Sequence, residues 1–137
     1  MEGLQGLRTK QQDAVSYTPT WIKDIKKATI KLVKIIGEKE ISNATLVDIG
    51  SGKGKVLIAW KILYPNHKKI IGIEYNQNLI SIANENLNKL NLKNIKILHG
   101  DASSIKLNSI NADNYRIFFM YNPFGIKTIE KFFSNNI

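Results

Sequence analysis

The chain contains no cysteine among its 137 residues. Disulfide bonds, thiol nucleophiles and cysteine-ligated metal sites are therefore excluded as sources of stability or chemistry. Histidine is also scarce, and His67 and His99 stand apart without companion ligands, so we expect no metal site. No apolar run approaches the length of a membrane-spanning helix, and the first residues lack a signal-peptide pattern. We therefore expect a cytoplasmic protein with no membrane partner.

Arginine is scarce too, although the chain is basic. The formal net charge is +9 and the sequence pI is about 9.7, yet the only arginines are Arg8 and Arg116. The lysines of the first predicted helix fall on its outer side, which is typical of a solvated face. A nucleic-acid surface would combine arginines with exposed aromatic residues. A nucleic acid is thus not favoured as a partner, whereas an acidic partner or substrate stays open.

Apolar segments alternate between strand-like and helix-like periodicity along most of the chain. We predict strands near 44–49, 69–74, 95–99 and 115–121, and helices near 21–37, 53–63, 76–91 and 126–134. This alternation favours an α/β fold, a Rossmann-like three-layer sandwich with a parallel sheet in the order 3-2-1-4. We expect residues 1–15 to form a flexible N-terminal segment and residues 16–137 to form the single domain.

The most informative stretch joins a buried strand to a helix through alternate glycines, Gly50, Gly52 and Gly54. Glycines let the backbone bend sharply and approach a ligand, and the following helix points free N–H groups at the same place. The spacing differs from the dinucleotide pattern G-x-G-x-x-G, because Lys55 stands where its third glycine belongs. It also differs from a P-loop, because Val56 follows the lysine. A nucleotide or nucleoside cradle of another kind is indicated.

The residues from Asp48 to Gly54, D-I-G-S-G-K-G, resemble the first motif of the class I S-adenosylmethionine-dependent methyltransferases, (D/E)-x-G-x-G-x-G. The resemblance implies S-adenosyl-L-methionine as the cofactor and Asp48 as the residue that holds the glycine loop and attracts the cofactor's ammonium group. It implies these cofactor-binding residues in the loop: Gly50, Ser51, Gly52 and Gly54.

Two acidic residues follow the next two predicted strands. Glu74 ends an apolar run about one βα repeat after Asp48, where a carboxylate can accept both hydroxyls of a ribose. A solvated charge at a strand end is the alternative reading. The third strand runs into Gly100, Asp101 and Ala102. The resemblance implies that Asp101 accepts the adenine amine and that the backbone N–H of Ala102 faces the ring.

The fourth predicted strand ends in Asn122-Pro123-Phe124-Gly125. This segment resembles the family motif beside the sulfonium and the incoming nucleophile, which implies that Asn122 binds the cofactor and that Asn122 and Pro123 have catalytic roles. Family members that methylate amino groups of bases or glutamine often carry two prolines there, and this chain has one. An ordinary turn is the alternative reading.

Upstream, Tyr17-Thr18-Pro19-Thr20 resembles the entry segment of small single-domain protein-lysine methyltransferases and of uncharacterised bacterial relatives. The resemblance implies a catalytic, acceptor-positioning role for Tyr17 and a cofactor contact for Thr20. The alternative reading is a hydrophobic staple at Tyr17 and an N-cap at Thr20. No residue is an evident general base, so holding the two reactants in line is the expected source of catalysis.

The resemblance also has a limit at the carboxyl end. The family ordinarily has seven strands, and after the fourth strand and its helix the sequence ends without strands 5-7. The apolar run 117–120 would then lie at an open sheet edge. We expect a truncated product or fragment, with a homodimer along that edge as the physical consequence. The alternatives are pairing with a second subunit, or residues 126–137 folding over the edge.

Three functions from different classes remain. The first is a methyltransferase acting on a protein or small-molecule acceptor, with a protein lysine amine preferred. The second is a noncatalytic cofactor-binding or dimerisation module. The third is a nicotinamide-dependent oxidoreductase, which Lys55 disfavours.

Overall fold

The structure is a computed structural model that describes residues 21–108, 115–121 and 124–137. Helices and strands alternate from Thr45 to His99, and the four predicted strands and four predicted helices are all present. The strands are β1 (Thr45–Ile49), β2 (Ile70–Glu74), β3 (Ile95–His99) and β4 (Arg116–Met120). The helices are α1 (Ile22–Ile36), α2 (Glu38–Asn43), α3 (Lys55–Leu63), α4 (Gln77–Lys89) and α5 (Ile126–Asn136).

The four strands form one parallel sheet in the order β3-β2-β1-β4, which confirms the predicted topology. Every residue of β1 and β2 is buried, as expected for central strands covered on both faces. The carboxyl ends of all four strands lie at the same edge, because every pairing is parallel. Loops that leave that edge are therefore brought together.

Side chains that alternate along the strands build a separate core on each face. On one face, Val47 and Ile71 pack with Phe132 of α5 and with the segment after β3. On the other face, Leu46 and Ile70 pack with α1 and α3. The molecule is therefore a three-layer sandwich, as predicted.

Strand β4 lies at the edge of the sheet and is covered on its faces. Phe118 packs edge-on against Phe132 at 5.4 Å between ring centroids, and Phe119 packs against Trp60 of α3 at 5.9 Å. Helix α5 thus covers one face of β4. In the described part of the chain, β1 is the only strand that pairs with β4. Self-association along the free edge of β4 stays a prediction.

The chain before β1 differs from the prediction. Helix α1 begins at Ile22, so Trp21 takes the N-cap position expected for Thr20, which itself lies outside the described residues. Gly37, at φ +89°, ends this helix as expected, but α2 then begins at once and was not predicted. Its six residues are too few to show a periodic apolar pattern. The predicted flexible segment 1–15 also lies outside the described residues.

No helix within the described ranges has both the length and the apolar character needed to cross a membrane. In the same ranges, no three His, Asp or Glu side chains lie close enough together to hold a metal ion.

Candidate functional site

The glycine loop, residues 50–54, joins the carboxyl end of β1 to the start of α3. Gly50, Gly52 and Gly54 have φ of +77°, +52° and +83°, in the left-handed region that favours glycine. The loop is tied to the neighbouring strand, because the backbone N–H groups of Gly50 and Ser51 both donate to the carbonyl of Ile73, at 2.8 and 3.0 Å. The alternate glycines are therefore required by the conformation of the loop.

Glu74 is the last residue of β2, and its side chain contacts this loop. Its carboxylate is 7% exposed and accepts two backbone hydrogen bonds: Gly52 N–H donates to Oε2 at 2.9 Å and Asn76 N–H donates to Oε1 at 2.8 Å. The alternative reading of Glu74 as a solvated strand-end charge is therefore wrong. Since a carboxylate oxygen has two lone pairs, each oxygen can still accept a hydroxyl.

Asn76 begins the next helix and continues the same chain of contacts. Its Oδ1 accepts hydrogen bonds from the N–H groups of Asn78 and Leu79, at 2.9 and 3.2 Å, and so caps α4. Helix α4 in turn holds the loop, because Nδ2 of Asn86 donates to the carbonyl of Lys53 at 3.1 Å. The loop, the end of β2 and α4 form one hydrogen-bonded unit.

Asp48 is buried one residue before the end of β1, with 3% of its surface exposed. Burial, together with the smaller effect of the negative charge of Glu74, raises the pKa of its carboxyl from the ordinary 3.8 to about 8. Two acidic groups thus lie side by side at the end of the sheet, and one of them holds its proton at neutral pH. Such a pair is suited to a cationic ligand.

The side chain of Ser51 is turned into the protein. A Cβ placed on Gly72 would lie 2.7 Å from Ser51 Oγ and 2.7 Å from Cδ1 of Leu57. The serine hydroxyl therefore fills the space that a side chain at position 72 would need. It is buried, and no described residue is its hydrogen-bond partner. Ser51 can reach a ligand only through its backbone or after a change of rotamer.

Asp101 and Ala102 follow β3 at the same edge. The preceding residue, Gly100, donates its N–H to the carbonyl of Glu74 at 3.0 Å. Asp101 is half-buried, and its Oδ1 accepts the N–H of Ser103 at 2.7 Å to form a turn. The side chain of Ala102 belongs to the core on the α5 face. The adenine-binding roles of Asp101 and Ala102 stay predictions.

The fold thus brings most of the predicted residues to the carboxyl edge of the sheet. These are Asp48, Gly50, Ser51, Gly52, Gly54, Glu74, Asp101 and Ala102. Tyr17, Thr20, Asn122 and Pro123 lie outside the described residues. Sequence reasoning missed Gly72 and Asn86. A glycine inside an apolar strand was a usable sign of close packing, whereas nothing in the sequence marks the contact of Asn86.

Comparison with known proteins identifies related sequences. The profile of the family described as "Putative methyltransferase" matches residues 42–124, which include the glycine loop, Glu74 and Asp101. The ribosomal protein L11 methyltransferase of Fusobacterium nucleatum is 35% identical over 75 residues, which are 53% of this chain and 23% of that protein. The chain spans between 23% and 44% of the length of the curated relatives it matches.

Solved structures share the fold. An RNA methyltransferase from Salinibacter ruber, in complex with S-adenosyl-L-homocysteine, is 17% identical with a TM-score of 0.62, over 88% of this chain and 72% of that one. A SAM-dependent methyltransferase from Aquifex aeolicus is 25% identical with a TM-score of 0.53, over 82% of this chain and 65% of that one.

Proposed function

This chain belongs to the methyltransferase family whose profile matches residues 42–124, and we propose that it transfers a methyl group from S-adenosyl-L-methionine to a protein amine. The observation that carries the proposal is the buried carboxylate of Glu74, hydrogen-bonded to Gly52 N–H at 2.9 Å. It lies at the end of β2 directly beside the glycine loop, where a ribose would meet both.

Three features of the described site fit this cofactor. The left-handed glycines leave backbone at the ligand where side chains would otherwise project. The carboxylate of Glu74 keeps lone pairs for the two ribose hydroxyls. Asp48 is a buried acid that becomes an anion when a cationic ammonium group arrives. These residues would hold the ribose and the amino-acid end.

The remaining roles follow the family motif. Asp101 and Ala102 would face the adenine, and Thr20 and Asn122 would contact the methionine end. When bound, S-adenosyl-L-methionine supplies a methyl group on a positively charged sulfonium. The chain would then bind the reactants, orient them and exclude water from the site. Tyr17, Asn122 and Pro123 are the residues proposed to place the acceptor nitrogen in line with the methyl group.

The acceptor is proposed to be a protein amine, with the lysine side chain preferred. Two observations support this choice. The segment Tyr17 to Thr20 resembles the entry segment of protein-lysine methyltransferases, and the Fusobacterium relative carries the name of an enzyme for a ribosomal protein. A small-molecule acceptor is the second candidate.

Calorimetric titration with S-adenosylhomocysteine tests the cofactor site. We expect micromolar binding to the wild type, a loss of about 1–3 kcal/mol in Glu74→Ala, and no comparable binding of NADH. Glu85→Ala, on the exposed side of α4, is the matched control and should bind as the wild type does. A folded protein that binds NADH but not the nucleoside would overturn the proposal in favour of an oxidoreductase.

Incubation with a methyl-labelled cofactor and a lysine-rich protein mixture tests the transfer step. If the wild type transfers label to protein and Tyr17→Phe does not, while cofactor binding is unchanged, the result supports the proposed acceptor and the role of Tyr17. Cofactor binding without label on any protein or small molecule identifies a noncatalytic binding module.

A further inference from the structure

A row of polar residues crosses the sheet at its amino end, opposite the glycine loop. Thr45 of β1 is in register with Arg116 of β4. Since Leu46 pairs with Ile70 and Ile70 pairs with Ile95, the preceding residues Lys69 and Asn94 continue the row on the other side. In parallel strands, residues in register point to the same face. The row lies on the face of the sheet that α5 covers. On this face the next row along the strands is mostly apolar and belongs to the core.

Part of this row lines a cavity of about 320 Å³. Its polar lining is basic and neutral, and none of the described residues that line it is acidic. The lining residues are Thr45, Lys68, Lys69, Ile70, Ile71, Asn94, Ile95 and Lys96. The volume is at the lower end of the range for small-molecule sites, about 300–1,000 Å³.

Two buried polar groups in this region have no hydrogen-bond partner among the described residues. They are Oγ1 of Thr45, a residue that is 1% exposed, and Nη1 of its neighbour Arg116. A buried polar group left unpaired is unfavourable, so native proteins pair such groups with the protein, with water or with a ligand. A hydroxyl and a guanidinium N–H are both donors. Of the two residues only Thr45 lines the cavity, so an acceptor bound there would pair with the Thr45 hydroxyl.

Two side-chain hydrogen bonds hold the walls of the cavity in place. Nζ of the buried Lys61 donates to the carbonyl of His67 at 2.6 Å, and the His67 ring is hydrogen-bonded to the carbonyl of Ala44 at 2.9 Å. These bonds tie the turn that carries Lys68 and Lys69 to the residue just before Thr45. Thr45 N–H donates to the carbonyl of Tyr115 at 2.8 Å, and the next residue, Leu46, donates its N–H to the carbonyl of Lys69 at 2.9 Å. The backbone that carries the donors is therefore in place before any ligand arrives.

We propose that this cavity binds a small phosphate-bearing anion, as free phosphate or as the phosphate group of a small molecule. The ammonium groups of Lys68 and Lys96 supply point charges for a phosphate, and the buried Thr45 hydroxyl supplies a directional donor after a change of rotamer. The size of the cavity and the depth of this hydroxyl favour a small anion over a nucleic-acid backbone. The site lies at the opposite end of the strands from the proposed cofactor site, so the two ligands bind independently.

Titration of the full chain with inorganic phosphate and with pyrophosphate, followed by the backbone amide signals of Thr45, Lys69 and Lys96, tests the proposal. We expect saturable shifts at these amides, with at least a fivefold weaker affinity in Thr45→Val and in Lys96→Met. Lys89→Met, a charge-matched change at the exposed end of α4, should bind as the wild type does. S-adenosylhomocysteine binding should be unchanged in all three variants, which separates this test from that of the proposed function.

Thr45→Val also distinguishes a ligand role from a structural one. Because the hydroxyl has no partner among the described residues, its removal should leave the unfolding midpoint of the unliganded protein unchanged or higher. Saturable binding lost in Thr45→Val without loss of stability supports the site. Absent binding, or binding that both variants retain, overturns it. A single-stranded RNA that shifts these amides when phosphate and pyrophosphate do not would also overturn it, in favour of a nucleic-acid surface.

Discussion

The carboxylate of Glu74 accepts the backbone N–H of Gly52 at 2.9 Å, across 22 positions of sequence. This bond joins the end of β2 to the glycine loop that follows β1. The same carboxylate accepts Asn76 N–H at 2.8 Å, so one side chain organises two loops at the proposed cofactor site. Glu74 therefore has a structural role as well as the proposed ligand role, and the two can be measured separately.

Glu74→Gln tests the structural role. The amide keeps the shape but has only one oxygen, so it can accept from Gly52 N–H or from Asn76 N–H but not from both. One backbone donor loses its acceptor and the other bond loses its charge assistance, so we expect a loss of about 1–3 kcal/mol in the free energy of unfolding. Urea denaturation at pH 6.5, where Asp48 holds its proton, measures this loss without a second charge beside Glu74. Glu85→Gln, at an exposed position on α4, should cost nothing measurable, and equal stabilities for the two variants would contradict the assignment.

Asp48→Asn should make the protein more stable at neutral and mildly alkaline pH. The folded-state pKa of about 8 lies above the ordinary 3.8, so the folded state holds a proton that the unfolded state releases. Wild-type stability therefore decreases as pH rises from about 4 to about 8. The asparagine variant lacks this decrease and should be more stable at pH 8 by on the order of 5 kcal/mol, since each pKa unit corresponds to about 1.4 kcal/mol. Urea denaturation at several pH values from 5 to 8.5 checks the slope, and parallel curves for the two proteins would refute the prediction.

The same Asp48→Asn variant should bind S-adenosylhomocysteine less well, because the neutral amide cannot become an anion beside the ammonium group. Greater stability with weaker binding is the pattern expected of a residue kept for function. A variant that is more stable and binds equally well would remove Asp48 from the proposed site.

His67 should make the fold sensitive to acid. Burial is the main cause that lowers the pKa of its ring, which is held against the Ala44 carbonyl at 2.9 Å. Since the unfolded state takes up the proton first, this contribution to stability is lost as pH falls below about 6.5. As pH falls from 7.5 to 5, protonation of Asp48 in the folded state makes the wild type more stable, and His67 acts against this gain. The thermal unfolding midpoint should therefore rise further in His67→Gln than in the wild type over this interval. His99→Gln, at an exposed position, is the matched control and should follow the wild type.

Gly72→Ala should destabilise the protein by about 1–3 kcal/mol, because the new methyl group would lie 2.7 Å from both Ser51 Oγ and Leu57 Cδ1. Gly100→Ala is a useful comparison, since its Cβ would meet only the movable end of Ile105, at 2.9 Å. Urea denaturation should show the larger loss at position 72. The reverse order would mean that Ser51 and Leu57 can move aside more easily than Ile105.

The fold was largely predictable because its signals are local. Apolar runs of about five residues separated by helical segments predicted the four strands, and the crossover rule then predicted their order. The buried side of a helix was harder to predict. In α4 the helical spacing of the apolar residues predicts a buried stripe of Leu79, Ile82, Ala83, Leu87 and Leu90. Ile80 is buried instead, whereas Ile82 and Leu90 are 37% and 53% exposed. The helix ends at Lys89, one residue before Leu90, and its Ala83 packs closely against Gly54 of the loop.

The candidate site was predictable in its positions but not in its contacts. The spacing of the glycines and of Glu74 placed these residues at one edge of the sheet. The bond between Glu74 and Gly52 depends on left-handed backbone in the loop, and the contact of Asn86 with the loop depends on where α4 crosses it. The neighbours Thr45 and Arg116 meet only through strand register. Contacts of this kind follow from tertiary structure and leave no local pattern.

Gly54 and Ala83 illustrate how closely the glycine loop and α4 approach. A Cβ on Gly54 would lie 3.3 Å from the Ala83 methyl group, and the backbone at Gly54 is left-handed, with φ +83°. The two positions should therefore evolve together, because a larger side chain at position 83 would require a different loop conformation. Substitutions on the exposed surface of α4 carry no such requirement, whereas substitutions on its buried surface would need compensating changes in the loop.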